Sequence, residues 1–216
     1  MAVTELIFPS IKTDPESLNE IERDWPTISK RLIDPNPGLL NAFRGFILTE
    51  NGVDVRDAYR EILLFEWVKT EDFHAFVKSE QFATFAGSIR HLVTGPPTLQ
   101  LFETDASPRE AASASIVETF RLSVSSPEHV ATSMEAWDRF VQIIKAKHTP
   151  ITYGTSTNLE NDVVVGIIGW SSEETRSRIV QDPEYAEALR SLQRLGTLNQ
   201  IVVDIDAMNL APPSGI

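Results

Sequence analysis

The sequence predicts an α+β protein made of two βαββαβ repeats whose sheets pack against each other within one chain. An internal repeat is the first observation: the segment around Trp67 matches the segment around Trp170 at an offset of 103 residues. The second is the order of elements predicted for each half, which is strand, helix, two strands, helix, strand, the split βαβ or ferredoxin-like unit. Such a sheet carries both helices on one face, so two uncovered faces in one chain are expected to pack together.

The two halves match in pattern rather than in identity. At the same offset Phe82 falls on Tyr185, whereas the opening strand at 4–8 corresponds to 116–122 at an offset near 112. A longer connection in the first half, at 49–57, accounts for most of the difference. We therefore expect an N-terminal repeat at residues 1–105, an exposed linker at 106–115, a C-terminal repeat at 116–210 and a tail at 211–216.

The first helix of each half is predicted from its start signal and its apolar stripe. Asp14 can cap a helix and Pro15 is tolerated at its first position, and Ser126 with Pro127 repeats this arrangement in the second half. Apolar residues follow at a spacing of three to four, which places them on one helix face. They are Leu18, Ile21, Trp25, Ile28 and Leu32, and in the second half Val130, Met134, Trp137, Val141 and Ile144.

The remaining elements follow from β-forming residues and helix breaks. Two strands are predicted in each half, at 40–48 and 59–67 and at 152–157 and 163–170, with a tight turn at Asn51 and Gly52. A helical segment comes next, broken near Ser79 in the first half and near Asp182 in the second. Closing strands are predicted at 98–102 and 200–205.

Composition limits the classes of partner. The chain has 19 basic and 31 acidic residues, a net charge of −12, so a nucleic-acid or anionic membrane partner is not expected. It contains no cysteine, which excludes disulfides and thiolate chemistry. No run of 18 apolar residues and no basic leader is present, and we expect a cytoplasmic protein.

The pattern around the two tryptophans resembles a known family. It runs through Trp67, Thr70, Glu71, Ser79, Phe82, Gly95 and Pro96, with a weaker copy at Trp170, Ser172, Glu173, Asp182, Tyr185 and Gly196. This pattern is similar to the antibiotic biosynthesis monooxygenase (ABM) domain of the dimeric α+β barrel superfamily, in a tandem two-copy layout similar to fungal members. The resemblance implies that the two repeats form an intrachain dimeric α+β barrel.

The same resemblance implies a function. It points to a cofactor-independent monooxygenase that acts on a small hydrophobic aromatic or polyketide-like substrate in specialised metabolism. Two alternatives stay open. One is a cofactor-free cyclase or isomerase on the same substrate class, and the other is a non-catalytic small-molecule-binding or assembly protein.

The functional positions of the family can be compared with the residues at the same places in this sequence. The comparison argues against haem binding and identifies one candidate proton donor. Haem-degrading relatives have a ligating His and a Trp where this chain has Ala86 and Phe76, so haem binding in that mode is not expected. Relatives that cyclise polyketides have a His where this chain has Phe82 in the first half and Tyr185 in the second. Tyr185 is therefore the leading candidate proton donor, unless it only anchors its helix as Phe82 does.

Further candidates come from polar residues in strands and from aromatic clusters. Arg44 and Glu61 are predicted on neighbouring strands, where they can bind a carboxylate or phenolate and move a proton, or form a simple cross-strand ion pair. Aromatic side chains are the candidates for contact with a small hydrophobic substrate. They are Tyr59, Trp67, Phe76, Phe82 and Trp170.

No cofactor and no metal are expected. The four histidines form no pair at i and i+4, and no glycine-rich phosphate loop follows a strand. The sequence leaves a further association of the pseudo-dimer into a homodimer open.

Overall fold

The structure is a computed structural model that describes residues 1–159 and 163–209. Strands alternate with amphipathic helices in the first half as the sequence predicts. Its elements are β1 (Ala2–Phe8), α1 (Pro15–Ile33), β2 (Leu39–Glu50), β3 (Val53–Asp54), β4 (Glu61–Trp67), α2 (Thr70–Val77), α3 (Glu80–Ile89) and β5 (Thr98–Thr104).

The second half repeats this order after a short helix, α4 (Arg109–Ala112). Its elements are β6 (Ile116–Val124), α5 (Val130–Ala146), β7 (Ile151–Ser156), β8 (Val163–Trp170), α6 (Glu173–Val180), α7 (Pro183–Gln193) and β9 (Gly196–Ala207). Ser79 caps α3 and Asp182 caps α7, so the matched positions have the same local role. The tail predicted at 211–216 lies outside the described residues.

The strands form one closed antiparallel barrel. Their order is β3-β2-β4-β1-β5-β7-β8-β6-β9, and β2 also pairs with β9. The two predicted sheets face each other across an apolar interior, which confirms the α+β fold of two packed repeats. They are not separate sheets, however, because backbone hydrogen bonds join β5 to β7 and β2 to β9 at their edges.

The segment at 106–115 differs from its prediction. Its small and polar residues predict an exposed connector, but Ala111 and Ala112 are only 2% and 1% exposed and belong to the barrel's interior cluster. Helix α4 packs against β8, where a Cβ on Gly169 would lie 2.5 Å from the Ala111 carbonyl oxygen. The connector therefore covers one end of the barrel.

The helices of each half pack on the outer face of the strands of that half. In the first half Asp14 accepts a hydrogen bond from the Ser17 amide at 2.9 Å, which confirms the predicted cap of α1. In the second half the predicted start at Ser126 is corrected, because 127–129 form a 3₁₀ turn and the α-helix begins at Val130. Asn51 and Gly52 both have positive φ and form the predicted tight turn between β2 and β3.

Candidate functional site

A cavity of about 800 Å³ lies in the first half, between the outer face of the sheet and helices α1 to α3. Ile7, Leu63 and Leu99 form its floor on β1, β4 and β5, because alternate residues of a strand face the helices. Exposed residues of the segment 94–97 form part of its rim. The volume and apolar lining are those of a site for a small hydrophobic molecule.

Aromatic side chains supply much of the cavity wall. Phe76 and Phe82, both candidates from the sequence, line it, and their ring centres lie 5.4 Å apart in an edge-to-face arrangement. The full aromatic lining consists of Trp25, Phe65, Phe73, Phe76, Phe82 and Phe85. Planar aromatic substrates have suitable partners on several sides.

One carboxyl group, that of Glu5 on β1, lies in this apolar wall. Glu5 is 3% exposed, and its Oε2 accepts a hydrogen bond from Trp67 Nε1 at 2.8 Å. Among residues 1–159 and 163–209, no Lys, Arg or His lies within ion-pair distance of this carboxylate. Burial raises the pKa of Glu5 to about 7, although the Trp67 hydrogen bond opposes the rise. Glu5 is therefore close to half ionised at neutral pH.

The second half contains the same glutamate and tryptophan pair with a different environment. Glu118 accepts a hydrogen bond from Trp170 Nε1 at 2.8 Å, as Glu5 does from Trp67. It also accepts hydrogen bonds from Arg176 Nη2 at 2.8 Å and from Gln200 Nε2 at 2.6 Å. Glu118 thus has a cationic partner and an amide donor, in addition to the tryptophan.

The first half lacks both of these partners. Phe73 occupies the position that corresponds to Arg176, and Leu99 the position that corresponds to Gln200 by strand register. Both apolar side chains line the cavity beside Glu5. An ion pair in one half is therefore replaced by a desolvated carboxyl and an apolar wall in the other.

One difference on the central strand explains why the cavity lies in the first half. A Cβ on Gly166 would lie 2.4 Å from the Trp137 ring, so Trp137 packs directly on the β8 backbone and is fully buried. The corresponding strand position in the first half is Leu63, whose side chain occupies that place. Trp25, which corresponds to Trp137, lies at the cavity wall instead.

Glu61 lines another part of the same wall and pairs with Arg44, which does not itself line the cavity. Arg44 Nη2 donates to Glu61 Oε1 and, at 2.8 Å, to Glu22 Oε1. Its guanidinium lies 3.8 Å from the centre of the Trp25 ring. Burial raises the pKa of Glu61, and the Arg44 cation opposes this rise. The predicted cross-strand pair is present, and Glu61 also lines the cavity.

Tyr59 lies outside the large cavity. Its hydroxyl donates to Glu22, and burial together with this hydrogen bond raises its pKa. The ring lines a smaller neighbouring cavity of about 320 Å³, and Glu61 lies in the wall that both cavities share.

Four predicted site residues line neither cavity; Arg44 is one of them. Tyr185 is fully buried in the core of the second half, where its ring centre lies 5.3 Å from that of Phe140. Trp170 is fully buried in the same core. Trp67 lies behind the cavity wall and acts on the site through its hydrogen bond to Glu5.

Sequence reasoning missed Glu5. The signal was present, because an acidic residue in the strand TELIF shares a strand face with Ile7, and that face is covered by helices. The register of Glu5 opposite Phe65 and Leu101 places its side chain between two apolar strands.

Comparison with known proteins identifies the fold. No protein-family model and no curated protein matches this sequence. An "anthrone oxidase-like protein" is similar in structure, with a TM-score of 0.66, 12% identity and coverage of 100% of this chain and 97% of that chain. A "putative monooxygenase" from Lactobacillus acidophilus NCFM has a TM-score of 0.60 and 11% identity, and covers 96% and 99% of the two chains.

A third similar structure is that of a "putative chlorite dismutase", with a TM-score of 0.57, 10% identity and coverage of 95% of each chain. These structures share the barrel over nearly the whole chain, which confirms the dimeric α+β barrel fold. At such low identity the likeness defines the fold and not the chemistry. Within the described ranges, no helix combines the length and hydrophobicity needed to cross a membrane.

Proposed function

We propose that the protein is a cofactor-independent oxygenase that uses Glu5 as the general base on a planar, hydrophobic phenol or enolisable ketone. The observation that supports this proposal is the desolvated Glu5 carboxyl, without a cationic partner, in the wall of the apolar cavity. The layout of two repeats in one chain fits a tandem ABM-like enzyme of specialised metabolism. The likeness to an anthrone oxidase-like protein suggests anthrone, a tricyclic ketone, as the first compound to test.

The raised pKa of Glu5 makes it a better base for this chemistry. A phenol has a pKa of about 10, so a carboxylate with an ordinary pKa must accept its proton against a difference of almost six units. Raising the pKa of Glu5 to about 7 shortens this difference to about three units. The gain is about 3 kcal/mol of proton-transfer free energy, and the group is still half ionised at neutral pH.

The proposed reaction needs only the substrate and dioxygen. The Glu5 carboxylate removes a proton from the activated CH₂ or OH group, and the enolate or phenolate transfers one electron to O₂. The resulting radical pair combines into a C–O bond, and protonated Glu5 returns its proton to the peroxide. For an activated CH₂ group the hydroperoxide then loses water, so that CH₂ and O₂ become C=O and H₂O.

The apolar wall assists each step. The aromatic side chains hold a planar substrate against Glu5, which replaces a bimolecular encounter by a bound geometry. Exclusion of water keeps the carboxylate desolvated and strengthens its interaction with the proton that it removes. The Trp67 hydrogen bond fixes one carboxylate oxygen and leaves the other for the substrate.

Oxygen uptake tests the proposal directly. Purified protein is mixed with anthrone, and O₂ consumption and anthraquinone formation are measured against a blank without protein. We expect turnover by the wild type and a loss of at least 100-fold in kcat/KM for Glu5→Gln. The matched control is Glu118→Gln in the second half, which is expected to retain kcat per folded molecule.

Each outcome separates one class of function from another. Full activity in Glu5→Gln would refute the role of Glu5. Anthrone isomerisation or other turnover that depends on Glu5 without O₂ uptake would replace the oxygenase by a proton-transfer enzyme of the cyclase or isomerase class. Binding without turnover of any phenol or ketone would favour a binding protein.

A further inference from the structure

The large cavity has polar groups at two separated places on its sheet wall. Glu5 on β1 lies opposite Phe65 of β4, and Glu61 lies four residues before Phe65 on the same face of β4. At a rise of about 3.4 Å per residue, the two glutamate positions are about 13 Å apart along the strands. Leu63 and Phe65 fill the wall between them.

Each carboxylate has one oxygen held by the protein and one that faces no donor. Glu5 Oε2 accepts from Trp67, and Glu61 Oε1 accepts from Arg44. Within the part of the chain that the structure describes, no group donates a hydrogen bond to Glu5 Oε1 or Glu61 Oε2. Both side chains line the cavity, so these two oxygens are the acceptors available to a bound molecule.

The Glu61 carboxyl, unlike that of Glu5, contacts a buried cation. Arg44 is 10% exposed at its side chain, and it is held between Glu61, Glu22 and the Trp25 ring. A buried guanidinium that contacts the carboxylate stabilises its ionised form. The Arg44 contact therefore holds Glu61 Oε1 in place and leaves Glu61 Oε2 turned to the cavity as a hydrogen-bond acceptor.

We infer that the substrate is an elongated, rigid aromatic molecule with hydroxyl groups at both ends, one bound by Glu5 and the other by Glu61. Two hydrogen bonds of about 2.8 Å leave about 8 Å between the two donor oxygens. That span fits two or three fused rings lying along Leu63 and Phe65. This inference rests on the proposed function only for the reaction at Glu5; the binding of the second hydroxyl is independent of it.

A pair of naphthols tests the inference. The first, 2,6-dihydroxynaphthalene, has hydroxyls at opposite ends, and the second, 6-methoxy-2-naphthol, has nearly the same shape but one hydroxyl. Their dissociation constants are measured by the change in naphthol fluorescence. We expect the diol to bind the wild type at least tenfold more tightly, since its second hydroxyl donates to a carboxyl oxygen of Glu61 that has no other donor.

Variants assign this preference to Glu61. In Glu61→Leu the ratio of the two dissociation constants is expected to fall below twofold, while the methoxy compound reports whether the cavity is intact. Glu22→Gln is the matched control, because Glu22 contacts Arg44 without lining the cavity, and it is expected to keep the tenfold ratio. Equal affinities in the wild type, or a ratio that persists in Glu61→Leu, would overturn the inference.

The outcome is distinguishable from that of the proposed function. Gln at position 5 still accepts a hydrogen bond, so Glu5→Gln is expected to keep the diol preference while it loses turnover. Normal turnover in Glu5→Gln with an intact preference would reject the reaction and retain the two-ended site. If the wild type binds both naphthols equally but its turnover depends on Glu5, the two-ended site is rejected and the proposed reaction is retained.

Discussion

Replacing Glu5 by Gln is expected to stabilise the protein, and to do so more at pH 8 than at pH 5. The pKa of Glu5 rises from 4.5 to about 7 on folding because burial disfavours the carboxylate. The folded state therefore binds more protons than the unfolded state between these values, so this group lowers stability as the pH rises. The destabilisation is absent well below pH 4.5 and complete above pH 7.

The size of the effect follows from the same two values. A shift of about 2.5 units corresponds to about 3 kcal/mol at pH 8 and to about 1 kcal/mol at pH 5. Gln is neutral and can still accept the Trp67 hydrogen bond, so Glu5→Gln removes this penalty. We expect the free energy of unfolding of the variant to exceed that of the wild type by about 3 kcal/mol at pH 8, which corresponds to roughly 6–12 °C in melting temperature.

Denaturant unfolding at pH 5 and pH 8 measures the effect, and Glu118→Gln supplies the contrast. That substitution removes a charge from a buried ion pair and leaves Arg176 with Glu173 alone, so it is expected to destabilise the protein by roughly 1–3 kcal/mol. The same substitution is thus expected to raise the free energy of unfolding at position 5 and to lower it at position 118. A Glu5→Gln variant that is less stable than the wild type at both pH values would refute the assignment of Glu5 as a desolvated carboxyl.

Four further predictions concern the site, the barrel and helix α3. Trp67→Phe removes a hydrogen bond to the ionised form of Glu5, so the acidic limb of the pH–rate profile should move up by about one unit, and Trp170→Phe should not move it. Leu63→Gly should let Trp25 pack on the strand as Trp137 does, with naphthol binding weakened at least tenfold; unchanged binding would contradict the role of Leu63. Gly154→Ala should destabilise the protein by several kcal/mol in a denaturant titration, because its Cβ would lie 1.9 Å from the Glu103 carbonyl oxygen where β5 pairs with β7. Gly87→Ala in α3, with open space around its Cβ, should instead stabilise by about 0.5–1 kcal/mol.

Much of the fold could be predicted because it is encoded in local side-chain patterns. The stripe containing Ile21, Ile28 and Leu32 places one helix face on a sheet, and those residues are buried. The edge pairing of β5 with β7 could not be predicted, since backbone groups make those hydrogen bonds and no side-chain pattern specifies them. The burial of α4 was missed because alanine is small and suits both exposed and buried positions.

The site could be predicted only in part. The aromatic cluster in the sequence predicts Phe76 and Phe82 as substrate contacts, and both line the cavity. The place of Tyr185 in a family pattern predicts a proton donor, but access to a cavity depends on packing between elements distant in sequence. The contact between Trp137 and Gly166 removes that space in the second half, and neither residue alone indicates it.

Because the chain has two repeats, one of them can contain a buried carboxyl group that lowers the stability of the fold. The Glu118 half has a continuous apolar core and a neutralised glutamate, so it can stabilise the shared barrel without taking part in binding. The Glu5 half is then able to keep an ionisable group against an open cavity, because backbone hydrogen bonds between β2 and β9 join the two halves into one barrel. Exchanging Phe73 for Arg would make the first half resemble the second, with the carboxyl of Glu5 neutralised and its value as a base lost.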